Sequence, residues 1–527
     1  MRDTDNLIIT GFMGTGKSTV AKELARRLDR PLVDMDEVIE AHLGQTIASV
    51  FETHGVEHFR RVEASLCREL AARSGLVIAT GGGALIPSTS RELMSASGVV
   101  VCLTASEDEI GRRLGRSGAR PLLQVPDRGA SISALLCERA AAYGSIAVQV
   151  DTTGLDTAAV ADRVLAAAGR PTPPVSLPVR HPQGVYCIDL GRGVLAEAGA
   201  LLRRAGLDGR VAVVTDPTVQ ALYAATLITS LRGLGFECVC CVLPGGEESK
   251  NLGTLSHLYD ELLTANMDRQ GLLLALGGGV VGDLAGLAAA TYLRGVAFVQ
   301  VPTTLLAMVD ASIGGKVAID HSQGKNLVGA FKQPALVVAD LDVLASLPSS
   351  EVQNGLAEIV KAALIDDAEL FGQLEEQGPA PLQWVVVRAL RVKAAIVEKD
   401  PYERGRRAVL NLGHTFAHAF EVVSGYCMPH GQAVSVGLMA AMRLSNRLGL
   451  CAPETASRVE RLLLSLGLPV RYGGLDPHDV WRAMAADKKR VGDRLRFVLL
   501  RRIGEVLVTD AVSEGDVMPE LECLREK

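Results

Sequence analysis

Two short strings of glycines and charged residues carry the first chemistry in this sequence. Gly11-x-x-x-x-Gly16-Lys17-Ser18 lies directly after the apolar run 7–10 and directly before a helical pattern over 19–28. Glycines there, Gly14 among them, let backbone N–H groups converge on a polyphosphate at a helix N-terminus. Lys17 adds positive charge near a phosphoryl group in transfer, and the helix opening Ser18-Thr19 can reach magnesium and phosphate. A bare tight turn would not call for all four fixed elements between a strand and a helix. Asp34-x-Asp36 falls at the end of the next strand-like run, where a period of two puts both carboxylates on one side of the pleat. One suits a metal, the other a substrate hydroxyl. Arg60 and Arg61 offer cations, and Gly81-Gly82-Gly83 follows a further apolar run, where a ligand can approach the backbone. Singly, the carboxylates and arginines fit a solvated surface equally well; their order is the signal.

The second half offers a nucleotide pattern and a metal pattern. The apolar run 272–276 leads into Gly277-Gly278-Gly279-Val-Val-Gly282-Asp283 and then a helical pattern over 284–292, a geometry that accepts a pyrophosphate. The string is not the usual GxGxxG, and a purely structural turn explains it equally well on its own. Asp216, after the run 211–215, and Glu247 and Lys250 add polar groups able to reach ribose and adenine. His414 and His418 stand four apart on one helix face, a spacing that suits zinc. Spacing alone makes both of them ligands, with His430 or Glu358 as a third; the other reading leaves His418 as a hydrogen-bonded histidine at a core edge. Lys316, Lys325, Lys361, Lys393, Arg407, Lys488 and Lys489 lie around them, several among apolar or glycine neighbours where a solvated cation has no reason to be. Their convergence would suit a dianionic phosphate and a carboxylate.

These groups need scaffolds. Before residue 169, apolar runs at 7–10, 76–79, 99–103 and 147–150 alternate with helical patterns, which indicates a parallel sheet with crossover helices. The stretch 169–182, GRPTPPVSLPVRHP, holds five prolines and reads as a stiff, extended linker. A second α/β series follows, with strands expected over 211–215, 237–243, 272–276 and 298–301. From residue 348 onward, amphipathic segments over 351–365, 384–398, 414–423 and 433–448 indicate a helical domain.

A chain of 527 residues exceeds what one core supports. With 48% hydrophobic and 22% charged residues and a formal net charge of -6, it has the balance of a small-molecule enzyme and no basic field for nucleic acid. Its ten scattered cysteines suit free thiols in a reducing compartment. Cys238, Cys240 and Cys241 contain a Cys-x-x-Cys, but without a second pair they read as buried thiols. The start has no apolar signal stretch, and the most apolar region, 271–309, is broken by Asp283, Arg294 and glycines. The expectation is a soluble, cytoplasmic protein without a membrane span.

The strings VDMDEVIE, FRRVE, the triple glycine after a strand and ARPLL stand in the order and spacing of shikimate kinases, and residues 1–168 resemble that family over their whole length. The resemblance implies that magnesium, bound with ATP, is held by Ser18 with help from Asp34. It implies that Asp36 and Arg60, with Gly82, Gly83 and Arg139, grip shikimate, and that Arg120 belongs to a lid over ATP. The chain departs from the family in having Ala141-Ala142-Tyr143 where Pro-Leu-Tyr is usual.

From residue 184 to 512 the strings GGGVVGDLAG, VPTTLLAMVDASIGGK, GKNLVGAF, GLAEIVK, LNLGHTFAHAFE and HGQAVSVGLM resemble 3-dehydroquinate synthase. The resemblance implies zinc or cobalt on Glu358, His414 and His430, with His418 a catalytic or orienting group. It implies a substrate pocket of Asp310, Lys316, Asn326, Lys361, Lys393, Arg407 and Asn411. NAD would lie against Asp216, Glu247, Lys250, Gly278, Gly279, Asp283, Thr303, Thr304 and Lys325. Val317-Ala-Ile-Asp320 replaces a usual Thr-Gly-Val-Asn, and Lys332 a usual His.

The fold class that follows is α/β: a P-loop kinase domain over 1–168, the linker 169–182, a Rossmann-like NAD-binding domain over 183–345 and a helical metal- and substrate-binding domain over 346–527. The implied substrates are ATP, shikimate and a seven-carbon heptulosonate phosphate, and the synthase half is a candidate homodimer. Two rival readings remain: a related sugar-phosphate cyclase in the second half, and a non-catalytic scaffold. The fused kinase speaks against the first, and the retained charged residues against the second.

Overall fold

A computed structural model describes residues 5–114, 128–168, 174–491 and 495–526, with the side chains of 128–131 and 487–491 outside the description. The chain divides into two compact units, Met1–Pro173 with Pro379–Trp384, and Pro174–Gly378 with Val385–Lys527. Among the described residues no helix is long and apolar enough to cross a membrane.

In the first unit, five short apolar runs form strands β1 (Asn6–Gly11), β2 (Leu32–Asp34), β3 (Val77–Ala79), β4 (Gly98–Thr104) and β5 (Val148–Asp151). They pair in the order β2-β3-β1-β4-β5, all parallel. The central strand is buried on both faces, which is why it reads as an unbroken apolar run. Helices Lys17–Leu28 and Thr157–Ala168 present Val20, Leu24, Val160 and Val164 at helical spacing to Leu7, Ile9, Val77, Val101 and Leu103. Each such side chain contributes about 1.5–3 kcal/mol on burial. The loops that follow β2, β3 and β1, three neighbouring strands, therefore open side by side at one sheet edge, where an open parallel sheet takes its ligand.

Asp34-x-Asp36 corrects one expectation. The strand stops at Asp34, which caps helix Met35–Leu43 by accepting the Asp36 N–H at 3.1 Å. Asp36 thus sits in the first helical turn and not on the same pleat. An aspartate that can satisfy an orphan helix N–H ends a strand as readily as it continues one.

In the second unit a seven-stranded sheet runs β6 (Val175–His181), β7 (Gly184–Gly191), β8 (Val211–Thr215), β9 (Cys238–Val242), β10 (Leu272–Gly277), β11 (Ala297–Pro302) and β14 (Leu336–Asp340), with the hairpin β12 (Lys316–His321) and β13 (Gly324–Phe331) inserted before its last strand. The spatial order is β6-β7-β14-β11-β10-β8-β9, parallel except for the β6–β7 pair. Here the expected linker 169–182 is corrected: 175–181 is strand β6, and only 169–173 lie outside the described residues. Pro178 is tolerated because β6 is an edge strand with a single neighbour, so one missing N–H leaves no second ladder broken. The glycine string also turns out shorter as a loop than expected, since helix Gly279–Thr291 starts at once and carries Asp283 inside it.

After β14 come the helices Ser349–Asp366, Ala368–Gln377, Leu382–Lys399, His414–Val423, His430–Arg447, Pro453–Ser465, Pro477–Val491 and Glu514–Leu524. The region is not purely helical, as the hairpin β15 (Phe497–Arg502) and β16 (Glu505–Thr509) interrupts it. His430–Arg447 is almost wholly buried at its centre. Close approach fixes its place: a Cβ on Gly437 would lie 2.3 Å from the Gly413 carbonyl oxygen, so only glycine lets this helix touch the turn that launches His414.

Candidate active sites

In the first unit the loop after β1 carries Gly14 and Gly16 at φ 83° and 94°, and helix Lys17–Leu28 begins without a side-chain cap. Its first-turn N–H groups therefore face the loop mouth, with Ser18 and Thr19 exposed there. Lys17 Nζ donates to the Phe12 carbonyl at 3.1 Å. Beside this cradle Arg60 ion-pairs with Glu63, and Arg139 Nη1 donates to the Gly82 carbonyl at 3.1 Å. The Tyr143 hydroxyl donates to the same carbonyl, so the departure at Ala141-Ala142 leaves Tyr143 and Arg139 seated together. Glu63 is buried, which raises its carboxyl pKa against the pull of Arg60. Sequence reasoning missed Glu63; its signal was the i+3 spacing from Arg60 on one helix. Two guanidinium groups, two carboxylates and the backbone of 81–83 suit a small carboxylate that bears several hydroxyls. Arg120 lies outside the described residues.

A Cβ on Gly83 would stand 2.3 Å from Arg60 Nη1. Gly83→Ala should therefore push Arg60 aside and, on the expectation that Arg60 grips the phosphoryl acceptor, raise the KM for that acceptor about tenfold, the cost of weakening one charge-assisted contact. Steady-state kinetics at saturating ATP test this.

In the second unit Asp216, Gly278 and Thr303 each follow the carboxyl end of a parallel strand, β8, β10 and β11, which are neighbours in register. Helix Gly279–Thr291 starts there with Gly278 at its cap and no side-chain cap bond. Asp216 Oδ1 accepts from the N–H groups of Thr218 and Val219 at 2.9 and 3.1 Å. Thr304 caps the following turn through the Ala307 N–H at 3.1 Å. Lys250 pairs with Asp283 at 2.6 Å and also donates to Asn326. Burial pushes the Asp283 carboxyl up to about 6, although Lys250 opposes it. Lys325 pairs with Glu247 at 3.3 Å. Of these residues, Glu247, Lys250 and Lys325 border a cleft of about 550 Å³ that Asp320 and Tyr426 also line, among others. Asn326 thus stands on the Lys250 side, held by the Asp320 carboxylate, which accepts its N–H at 2.8 Å.

Glu358, His414 and His430 come from three helices, and their ligand atoms all lie within 4.8 Å of one another. Both histidines aim Nε2 at Glu358 Oε1, at 3.4 and 3.5 Å. Neither oxygen of this buried carboxylate accepts a hydrogen bond of proper geometry. Three converging donors of the N/O type, at spacings wide for hydrogen bonds, are the donor set of a divalent ion with an open position. The outer nitrogens are anchored: His414 Nδ1 meets the Leu412 carbonyl at 3.2 Å and His430 Nδ1 meets Glu421 at 3.0 Å. Glu421 was not found from sequence, although it lies seven residues, two helical turns, beyond His414. Burial and the nearby Lys361 push His414 down to about 3. Burial pulls His430 the same way, but Glu358 and Glu421 outweigh it and lift it to about 10.

His418 corrects the reading from spacing alone: its ring stands edge-on to His414, 5.5 Å between centroids, and it is not in the ligand group. The helix face that carries both rings turns only His414 toward Glu358. Around the triad, Lys361 ion-pairs with Glu358, and Lys393 pairs with the Asp310 carboxylate and donates to its carbonyl at 2.6 Å. Arg407 donates to the carbonyls of Gly314 at 3.1 Å and Pro401 at 2.8 Å. Burial lowers the pKa of both Lys393 and Arg407, the signature of desolvated cations. Asn411 ends the turn Arg406–Asn411 that leads to His414. Lys316 ion-pairs with Glu403, a further residue no motif pointed to. The side chains of Lys488 and Lys489 lie outside the description.

A glycine cradle beside a carboxylate and guanidinium pocket, and a Glu/His/His centre under buried cations beside a strand-end cleft, define a P-loop phosphotransferase joined to a Rossmann-type, metal-centred synthase. Comparison with known proteins narrows the class. The family model for shikimate kinase matches residues 13–168, and those for the N-terminal and C-terminal parts of 3-dehydroquinate synthase match 240–354 and 355–490. The 3-dehydroquinate synthase of a Synechococcus species is 42% identical over 66% of this chain and 99% of its own length. That of Acidithiobacillus ferrooxidans is 45% identical over 67% of this chain and 98% of its own. The solved 2-epi-5-epi-valiolone synthase of Streptomyces hygroscopicus, with NAD+ and Zn2+ bound, is 31% identical over 64% of this chain and 96% of its own, with a TM-score of 0.60. A 2-deoxy-scyllo-inosose synthase complexed with carbaglucose-6-phosphate, NAD+ and Co2+ is 26% identical, covers 66% and 99%, and has the same TM-score of 0.60. The chain belongs to the 3-dehydroquinate synthase family and carries a shikimate kinase domain ahead of the synthase. It is an enzyme with both kinase and lyase activities in the shikimate pathway.

Proposed function

We propose that the two activities run in separate pockets of one chain, and that the convergence of Glu358, His414 and His430 beneath desolvated cations carries the synthase assignment. In the first unit Lys17 and the first-turn N–H groups take the phosphates of ATP, while Ser18 and Asp34 serve its magnesium. Arg60, Arg139, Gly82 and Gly83 bind shikimate. Asp36 orients the attacking hydroxyl and accepts its proton. Arg120, outside the described residues, is assigned to ATP on the family resemblance alone.

In the second unit Glu358, His414 and His430 would hold zinc or cobalt. Asp216, Glu247, Lys250, Gly278, Gly279, Asp283, Thr303, Thr304 and Lys325 would hold NAD. When bound, the ion supplies Lewis acidity at a substrate hydroxyl and NAD accepts and returns a hydride. The chain's own part is to bind and to move protons. Lys316, Lys361, Lys393 and Arg407 grip the phosphate and carboxylate of 3-deoxy-D-arabino-heptulosonate 7-phosphate, with Asp310, Asn326 and Asn411 placing its hydroxyls. His418 relays a proton, a role its ring's edge-on approach to His414 supports. Desolvated cations stabilise the departing phosphate more than solvated ones can, because charge interactions strengthen in a low dielectric.

Identities of 42% and 45% with dehydroquinate synthases, against 31% and 26% with the cyclases of other substrates, favour heptulosonate phosphate as the substrate. Intact charged residues at both sites favour catalysis over a scaffold. We also propose a kinase domain over 1–168, a connector shorter than 169–182, an NAD-binding domain to residue 345 and a metal- and substrate-binding domain beyond. A homodimer through the synthase half, no nucleic-acid partner and a cytoplasmic location complete the reading. A zinc-selective chelator should abolish phosphate release from the heptulosonate phosphate, and added zinc or cobalt should restore it. Full synthase activity in metal-free protein would overturn the reading.

A further inference from the structure

The cleft that borders Lys250 has one wall that none of the motifs accounts for. Tyr426 brings a phenol ring to its lining, which also holds the imidazole of His321. Tyr426 is 47% exposed, and its backbone is left-handed at φ 62°. A bulky residue holds that conformation only where its surroundings over-determine it, and such positions cluster at ligand clamps. The Tyr426 N–H donates to the Glu421 carbonyl at 2.7 Å, and the Glu421 carboxylate holds His430. The ring is therefore tied to the helix end that orients the metal centre while it faces the nucleotide cleft. Lys325 Nζ stands 4.7 Å from its centroid, and Lys325 is held from the other side by Glu247. The remaining wall is polar: Glu247, Glu248, Lys250, Asn251, Asp320 and Lys325. A half-exposed ring among such groups, with Lys325 over one face, keeps apolar surface that a flat ligand in the cleft would cover.

We propose that Tyr426 is a dinucleotide-binding residue of the synthase unit, a flat wall for a ring system of the cofactor whose face also holds Lys325 toward the cleft. A ring face that already accepts an ammonium group suits an electron-poor heteroaromatic ring. The inference rests on the reading of this cleft as the NAD site. The dissociation constant for NAD is measured on the zinc-loaded full-length chain, with Tyr426→Phe, Tyr426→Ala and Tyr426→Leu. Phe should bind within about twofold of the parent, whereas Ala and Leu should bind about tenfold more weakly, the scale of one lost aromatic stack. Turnover at saturating NAD should stay within about threefold in all four, as expected when only binding is lost. Zinc content and shikimate phosphorylation report whether a variant is folded, and Leu replaces Ala if Ala fails there. Parent-like NAD affinity in a folded Ala or Leu variant would overturn the inference and leave the NAD site standing. No NAD binding by the parent chain would overturn both.

Discussion

Glu358→Gln should cut dehydroquinate formation about a thousandfold or more while the same preparation phosphorylates shikimate at the parental rate. Gln keeps the shape of the side chain but removes the negative charge that the two Nε2 atoms and Lys361 surround. Burial works against that charge, yet Lys361, His414 and His430 hold the carboxyl well below its usual range, so the site is built for an anion. With the anion gone, Lys361 becomes a buried cation without its partner, and a Lewis-acid site worth several kcal/mol loses its ionic ligand. Parallel assays of phosphate release and of ADP formation give the answer. A loss of both activities would contradict separate pockets, and a parental synthase rate would contradict the ligand assignment.

Lys17→Ala is the mirror case. Phosphoryl transfer relies on alignment and charge neutralisation, and single cations at such sites are worth about a thousandfold or more. Lys17 starts the helix whose uncapped N-terminus forms the cradle, and the charge is the only part of it that the loop glycines cannot replace. Shikimate phosphorylation should fall by that factor, with dehydroquinate formation within about twofold of the parent, since different residues carry the two reactions. A variant that retained half its kinase rate would show that the cradle works without this lysine.

Much of this was legible because the chemistry sits in short strings that also mark element boundaries. Gly11 to Ser18, the glycines after β10 and His414 each fall where a strand or turn gives way to a helix, so pattern and site coincide. Asp36 was misplaced because Asp34 can either continue a strand or cap a helix, and period alone does not choose. The prolines of 169–182 concealed β6, because an edge strand loses little from a residue without an N–H. The hairpins β12–β13 and β15–β16 escaped because each gains its partner only from the adjoining strand across a tight turn, within sequence that otherwise reads as loop or helix.

Spacing on one helix favoured His414 with His418, but convergence of three helices decides the ligand set, and that depends on contacts such as Gly437 against Gly413. Glu63, Glu403, Glu421 and Tyr426 touch other site residues, and at most a helical spacing, as for Glu63 and Glu421, marks them in the sequence. The reading of Cys238, Cys240 and Cys241 as buried thiols holds only for Cys241: on β9 Cys238 is half-buried and Cys240 exposed, though partial desolvation still raises all three, Cys241 to about 12, which works against reactive thiolates.

The most direct test is the metal content of the dialysed chain, measured with its synthase rate in the parent and in His414→Ala, His418→Ala and His430→Ala. Three donors from three helices should retain about one divalent ion per chain. His414→Ala and His430→Ala should each lose it, whereas His418→Ala should keep the ion and lose only rate. An ion retained without His414, or lost with His418, would contradict the site described for this enzyme.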